Sequence, residues 1–136
     1  MALEFVDTNV FVYAHDRSAA RKHDRAGALI DDLNQRDAGA ISTQVLAEFF
    51  SAAVIKRGMS AQLAESVIDD LGIWTLHRPD HAGILRAAQL RRRLKISWWD
   101  ALVINSALEL DCSTLWTEDL SDGRKIGSLT IRNPFG

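Results

Sequence analysis

The stretch "EFVDTNVFVYAHD", residues 4–16, indicates both a fold and a site. Its apolar run is interrupted at Asp7 by three small polar residues, and such residues cannot stay unpaired inside a core. The pattern predicts a short strand over residues 2–6 and a helix over residues 8–14, which one of the polar residues caps. The carboxylate of Asp7 is therefore expected at the carboxyl end of the first strand.

Length and composition are those of an ordinary globular protein. The chain has 136 residues, of which 47 % are hydrophobic and 25 % are charged, and its net charge is −2. No apolar run approaches the roughly 20 residues of a membrane span, and the N-terminus does not resemble a signal peptide. The single cysteine, Cys112, excludes an intramolecular disulfide and a cysteine-rich zinc site. We expect one domain over residues 1–136, located in the cytoplasm without membrane contact.

The rest of the chain alternates between helical and strand patterns, which predicts an α/β fold with a central, mostly parallel sheet flanked by helices. Serine and threonine at helix starts and glycine at helix ends set the boundaries. The segment "SWWDALVINSALEL" is apolar nearly all round, so it is expected to be a central helix. Helices are predicted over residues 18–36, 43–57, 60–71, 79–94 and 97–110, and strands near 38–42, 73–77, 112–117 and 128–135.

Four acidic residues are expected near one edge of this sheet. Asp7 and Asp119 follow predicted strands, while Glu48 and Asp100 lie early in helices. Ligands of open α/β sheets bind beyond the carboxyl ends of the strands. Each acid also has a structural explanation: Asp7 as a helix cap, Asp100 as part of a capping box with Ser97, Asp119 as a turn residue, and Glu48 as half of a salt bridge.

The four acids are more informative together than singly. Two carboxylates about 5 Å apart repel each other by about 3 kcal/mol at an effective dielectric constant of 20. Four converging acids would therefore oppose folding unless they were protonated or neutralised by a cation. An all-oxygen ligand set favours magnesium or manganese, and such ions support hydrolysis of phosphodiesters.

Four motifs in the chain resemble those of the PIN-domain metal-dependent ribonucleases, and among them the VapC-type toxins of bacterial toxin–antitoxin pairs. The motifs are "FVDTNVFVYA", "STQVLAEFF", "ISWWDALVINSAL" and "LWTEDLSDG" followed by "LTIRNPF". They occur in the family's order over nearly the whole chain. The resemblance implies a PIN-like three-layer sandwich with a sheet of four to five strands.

The resemblance also implies an activity: cleavage of RNA by a metal-activated water, leaving a 5′ phosphate and a 3′ hydroxyl. The expected ion is Mg²⁺, for which Mn²⁺ substitutes, and the expected partners are a cognate inhibitory antitoxin and a second copy of the chain. The acidic metal-binding set maps onto Asp7, Glu48, Asp100 and Asp119. Supporting positions are Thr8, Asn9, Thr117 and Asp122, the last being an alternative fourth ligand.

Basic and aromatic residues provide weaker indications. Two basic groups are candidates for contacts with RNA phosphates, although a charge run is more often a solvated helix face. Trp98 and Trp99 are expected to pack in the core, with stacking on an unpaired base as the alternative. His77 and His81 are expected at the surface near a helix start. The basic groups are Arg86, Arg91, Arg92, Arg93 and Lys95, and Arg17, Arg21, Lys22 and Arg25.

Two rival functions remain open from the residues. The first is a PIN-like module that binds RNA or protein without cleaving it, with the acids retained as vestigial or structural groups. The second is a phosphatase of the haloacid dehalogenase type, which also begins with an aspartate at a strand end. That family needs a second aspartate two residues further on, where this chain has Asn9.

Overall fold

Short buried strands form the centre of the molecule. The computed structural model describes residues 2–136 and contains one six-stranded sheet in the order β3-β2-β1-β4-β6-β5. All neighbouring strands run parallel except β5, which is antiparallel to β6. The strands are β1 (Glu4–Val6), β2 (Gly39–Ser42), β3 (Thr75–His77), β4 (Thr114–Trp116), β5 (Lys125–Ile126) and β6 (Leu129–Arg132).

Six α-helices connect and flank these strands. They are α1 (Thr8–Ala14), α2 (Arg21–Arg36), α3 (Thr43–Phe50), α4 (Ala61–Asp70), α5 (His81–Leu94) and α6 (Trp98–Glu109). A π-helical segment, Ser51–Lys56, continues α3, and two 3-10 turns occur at Arg17–Ala19 and Leu71–Ile73. No helix in the described part of the chain has the length and apolar character needed to cross a membrane. The predicted α/β class with a mostly parallel, helix-flanked sheet is confirmed.

Side-chain caps start most of the helices where the sequence predicted them. The hydroxyls of Ser42, Ser60 and Ser97 each accept a hydrogen bond from the backbone N–H three residues ahead. Asp80 caps α5 in the same way, so this helix begins after Pro79 rather than with it. The predicted start of α5 at Pro79 was wrong by two residues.

The core lies against the first strand. Phe5 pairs with Ala40 on one side and with Leu115 on the other, and all three residues are fully buried. Helix α6 is central as predicted, because seven consecutive residues, 101–107, are buried. Cys112 is buried as well.

The structure corrects four details of the expected architecture. Residues 18–36 do not form one helix, because Ala20, with φ of 54°, separates the first 3-10 turn from α2. The helix expected over residues 43–57 changes from α to π geometry at Ser51. The sheet has six strands rather than four to five, because β5 forms inside the loop expected at 118–127. Trp74 is buried but precedes β3 instead of lying in a strand.

Close packing of Trp74 on Gly39 predicts a measurable stability effect. A Cβ atom on Gly39 would lie 2.5 Å from Cδ2 of the Trp74 indole, whose Nε1 donates a 2.6 Å hydrogen bond to Oδ1 of Asn34. We expect Gly39→Ala to lower the free energy of unfolding by about 1–3 kcal/mol in urea titrations, because the anchored ring cannot move away freely. Gly27→Ala is the matched control: its Cβ would meet no atom within 4 Å, and it lies inside α2. That variant should gain about 0.5–1 kcal/mol, and equal effects of the two variants would contradict the packing argument.

Candidate metal centre and active site

Asp7 is a buried carboxylate at the point where β1 ends. Its backbone N–H donates to the carbonyl oxygen of Trp116 in β4, which fixes the residue at the edge of the sheet. Its Oδ1 accepts a 2.7 Å hydrogen bond from the backbone N–H of Thr8, and its Oδ2 accepts a 2.9 Å bond from the hydroxyl of Thr117. The residue is only 8 % exposed. The polar interruption in the first apolar run therefore caps α1 and directs a carboxylate into the site.

Two further carboxylates meet Asp7 at this edge of the sheet. One oxygen each from Asp7, Asp100 and Asp119 lie within 4.8 Å of one another. Asp100 occupies the first turn of α6, and Asp119 lies in the loop after β4. The hydroxyl of Thr117, which donates to Asp7, also accepts a 3.2 Å hydrogen bond from the backbone N–H of Asp119. Thr117 thus links two of the three acids directly.

Glu48 lies beside these acids on α3. The hydroxyl of Thr8 donates a 3.4 Å hydrogen bond to its Oε2, and Nε2 of Gln44 donates to its Oε1. The side chain is half-buried, and no lysine, arginine or histidine within residues 2–136 forms an ion pair with it. Glu48 lines the same cleft but is not one of the three acids whose oxygens lie within 4.8 Å. The salt bridge considered as its structural explanation is not present.

Burial and mutual repulsion alter the proton affinity of the site. The pKa of Asp7 is raised from 3.8 to about 6, and desolvation by burial is the largest cause. The hydrogen bonds from Thr8 and Thr117 lower the pKa, and the charges of Asp119 and Glu48 raise it by smaller amounts. Burial also raises the pKa of Asp119, followed by the charges of Asp100 and Glu118. A bound cation would favour the charged form of both groups.

The acids open into a cleft of about 450 Å³. Its donors are carboxylate and hydroxyl oxygens, without histidine or cysteine among the described lining residues, and this donor set fits a hard divalent cation. The geometry of Asp7, Asp100 and Asp119 makes the cluster a candidate site for such an ion. The lining residues are Asp7, Thr8, Asn9, Glu48, Ser51, Ala52, Lys56, Trp99, Asp100, Val103 and Asp119.

Asp122 lies outside this cluster. Its Oδ1 accepts a 3.0 Å hydrogen bond from the backbone N–H of Asn133, so the carboxylate closes the loop toward the C-terminal segment. It does not line the cleft. The structure therefore brings Asp119, but not Asp122, together with Asp7 and Asp100.

The basic groups identified in the sequence do not line the cleft either. Arg86 forms an ion pair with Glu109, and the basic residues at 91–93 and Lys95 are exposed at the end of α5. In the second group, Lys22 pairs with Glu118 at 2.7 Å, and Arg21 donates to the carbonyl oxygen of Phe135. Contact with more distant phosphates stays a prediction for these residues. Sequence reasoning missed Lys56, the one basic residue found among the described lining residues.

The two adjacent tryptophans have different environments. Trp98 is half-buried, whereas Trp99 is 57 % exposed and lines the cleft next to Asp100. The prediction that Trp99 packs in the core was wrong. Because α6 begins at residue 98, its first turn extends beyond the core, and there one of two neighbouring side chains faces solvent.

His77 is not a surface residue at a helix start, and that prediction was wrong. It ends β3, where its Nδ1 lies 2.7 Å from the hydroxyl of Ser106 and its Nε2 lies 2.6 Å from Oε2 of Glu109. A chain of serine, histidine and glutamate resembles a nucleophilic triad, but Ser106 has no exposed surface and cannot reach a substrate. These contacts attach β3 to α6. His81 is exposed in the first turn of α5, as predicted.

Comparison with known proteins agrees with this fold. The fold and the candidate site together define an α/β protein whose carboxylates converge at the carboxyl end of a parallel sheet. The PIN domain family model matches residues 5–121, so the chain belongs to the PIN domain family. No curated protein sequence matches the chain significantly.

Solved structures with a similar fold come from toxin–antitoxin systems. VapBC2 of Rickettsia felis bound to promoter DNA is 21 % identical with a TM-score of 0.67, over 96 % of this chain and 98 % of that chain. VapC20 of Mycobacterium tuberculosis, a toxin that cleaves the sarcin–ricin loop, is 17 % identical with a TM-score of 0.67, over 85 % and 91 %. DNA-bound VapBC of Salmonella typhimurium is 16 % identical with a TM-score of 0.69, over 98 % and 99 %. At these identities the similarity shows the fold alone.

The raised pKa of Asp7 predicts that this group destabilises the metal-free protein at neutral pH. Because its folded pKa, about 6, exceeds the ordinary value of 3.8, the penalty is small at pH 4, vanishes at lower pH and grows as the pH rises through 6. We expect Asp7→Asn to raise the free energy of unfolding at pH 7 in EDTA by up to about 3 kcal/mol, with a gain of only about 0.5 kcal/mol at pH 4. Urea titrations at both pH values measure this difference.

Two controls accompany the Asp7→Asn measurement. The exposed Asp69 on α4 serves as the matched position, and Asp69→Asn should leave stability unchanged at both pH values. Added Mg²⁺ should stabilise the wild-type chain and not Asp7→Asn, because ligand binding stabilises only a folded state that keeps its site. A gain from Asp7→Asn that is equal at pH 4 and pH 7 would show that repulsion and burial of charge are not the cause.

Proposed function

We propose that this chain is a divalent-metal-dependent endoribonuclease of the VapC toxin type. The observation that carries the proposal is the meeting of oxygens from Asp7, Asp100 and Asp119 within 4.8 Å in an open cleft. Membership of the PIN domain family and a fold like that of VapC20, a toxin that cleaves the sarcin–ricin loop, support it. Mg²⁺ is the proposed ion, and Mn²⁺ is expected to substitute because it accepts the same oxygen ligands.

The acidic residues have distinct proposed roles. Asp7, Asp100 and Asp119 would hold the ion directly, and Glu48 would complete the acidic set from α3. When bound, the ion supplies a water of lowered pKa and stabilises charge on the leaving oxygen of a phosphodiester. The proposed products are a 5′ phosphate and a 3′ hydroxyl.

Neighbouring polar groups orient the acids. The bonds from Thr8 and Thr117 fix both oxygens of Asp7, and the backbone N–H of Asp119 donates to the same Thr117 hydroxyl. Asn9 lines the cleft and is proposed to support the first acid. The carboxylate of Asp7 and the backbone of Asp119 are therefore held in position by the folded chain, which reduces the rearrangement needed to bind a cation.

Replacing Asp100 tests the nuclease proposal. Asp100→Asn removes one charged ligand while keeping the shape of the residue, so we expect RNA cleavage to fall by at least about 100-fold, with an unchanged far-ultraviolet circular dichroism spectrum. Cleavage is measured by sequencing the 5′ ends produced in cells that express the wild-type chain or the variant. Asp122→Asn is the matched control, because Asp122 lies outside the cluster, and it should retain activity.

Two results would contradict the proposal in different ways. Full cleavage by Asp100→Asn would exclude the acidic cluster as the active centre. Binding of RNA without cleavage, together with no heat of Mg²⁺ or Mn²⁺ binding in calorimetry, would favour the rival in which the domain only binds RNA or protein. Loss of activity in Asp122→Asn would indicate that Asp122, rather than Asp119, is the fourth acidic residue of the site.

An inhibitory antitoxin and a second copy of the chain are the proposed protein partners. Similar structures include a toxin–antitoxin complex from Klebsiella pneumoniae and VapBC of Salmonella typhimurium, which supports a partner of the antitoxin class. The antitoxin is proposed to lay an apolar segment between helices and to place a basic side chain near the acids. We also propose a cytoplasmic location, which agrees with an RNA substrate. The chain is proposed to form a single domain over residues 1–136.

Light scattering of the purified chain tests the proposed homodimer. We expect a molar mass of two chains at micromolar concentration, since symmetric dimers are the commonest soluble oligomers. A mass of one chain over the whole concentration range would exclude the homodimer. The cleavage assay is independent of this result, so the two proposals can fail separately.

A further inference from the structure

The π-helical segment gives Lys56 a position that an α-helix would not. Ser51 and Lys56 are five residues apart, and both line the acidic cleft. In an α-helix of 3.6 residues per turn, residues five apart point about 140° away from each other. In π geometry the backbone hydrogen bonds link residues i and i+5 and each turn holds more residues, so the two side chains lie much closer to one side. The change of helix type after Phe50 therefore places Lys56 along the cleft that Asp7 and Asp100 also line.

Lys56 has the charge that the cleft otherwise lacks. Four carboxylates and no other basic residue are found among the described lining residues, so an approaching polyanion meets strong repulsion around the metal site. Lys56 is exposed, and no carboxylate of residues 2–136 forms an ion pair with it. Its ammonium group is free to bind a phosphate.

Trp99 provides a different kind of contact in the same cleft. Its indole is 57 % exposed, which is unusual for the largest aromatic side chain, and it directly precedes Asp100 in the first turn of α6. Exposed aromatic rings serve as stacking platforms for unpaired bases, because every base has a π face. A base in a duplex is already stacked on its neighbours, so such a platform favours single-stranded substrates.

We propose that Lys56 and Trp99 form the RNA-binding side of the cleft: Lys56 binds a phosphate next to the one that is cleaved, and Trp99 stacks on an adjacent unpaired base. The inference rests on the proposed ribonuclease function and adds to it two positioning residues and a preference for single-stranded RNA. Both side chains act on binding of the substrate. Neither takes part in the chemical step.

Binding and cleavage measured separately test this inference. The probe for binding is a fluorescein-labelled single-stranded decaribonucleotide, titrated in Mg²⁺ with the Asp100→Asn chain, which is expected not to cleave it. Adding Lys56→Gln should raise Kd about 5-fold and reduce the slope of log Kd against log salt by about 0.7, because one phosphate contact is lost. Adding Trp99→Ala should raise Kd about 10-fold without changing the slope, and Trp99→Phe should recover most of the affinity.

Matched controls separate a local effect from a general one. Lys125→Gln removes an exposed lysine of β5 that does not line the cleft, and it should leave Kd and the salt slope unchanged. In the otherwise wild-type chain, Lys56→Gln and Trp99→Ala should raise KM for RNA cleavage by similar factors with little change in kcat. A duplex of the same sequence should bind more weakly than the single strand and should be insensitive to Trp99→Ala.

The outcomes distinguish this inference from the function on which it rests. Unchanged Kd, KM and salt slope in Lys56→Gln and Trp99→Ala, with normal cleavage, would overturn the inference and leave the nuclease proposal intact. Absence of cleavage by the wild-type chain, with the predicted losses of RNA binding, would overturn the nuclease proposal and keep the two binding residues. Equal binding of duplex and single strand would remove the proposed preference for unpaired bases.

Discussion

Burial of carboxylates that also repel one another is the constraint on which the site depends. The acids come from the end of β1, from α3, from the start of α6 and from the loop after β4, so only the complete fold brings them together. Burial of Asp7, and to a smaller extent the charges of Asp119 and Glu48, raises its pKa, so the charged site costs free energy in the absence of a cation. Packing of the buried strand β2 and the largely buried strand β4 against α6 offsets this cost. The fold thus maintains an arrangement that its charges alone would disperse.

Much of the fold and of the acidic cluster could be predicted from the sequence. Asp7 was recognisable because it interrupts an apolar run at the expected end of a strand, and Asp100 and Asp119 because they follow the start of a helix and the end of a strand. A parallel sheet places such positions at one edge, so the spacing of elements along the chain implies convergence in space. The resemblance to the family's motifs added Thr117 to the predicted supporting residues. Its hydroxyl donates a hydrogen bond to Asp7 and accepts one from the backbone N–H of Asp119.

Other features gave no usable signal in the sequence. Lys56 reaches the cleft through π geometry, whereas a periodicity argument assumes an α-helix through residue 57. Trp99 and Trp98 are the same residue type in adjacent positions, and only the three-dimensional position of the first turn of α6 shows which one is exposed. The two-residue strand β5 is too short to produce an alternation. The environment of His77 depends on its contact with Ser106 of α6, which is nearly 30 residues away in sequence.

Helix α6 has a consequence for how such a protein can be controlled. Asp100 lies in its first turn, while residues 101–107 form an uninterrupted part of the core. The carboxylate cannot be withdrawn by sliding or tilting this helix unless the interior is disrupted, since packed interiors resist small deformations. A regulator that acts by moving Asp100 away from the other acids would therefore have to unfold part of the protein. Steric occlusion from outside leaves the interior intact, so a molecule that blocks the site gains more by covering the acidic cleft than by distorting it.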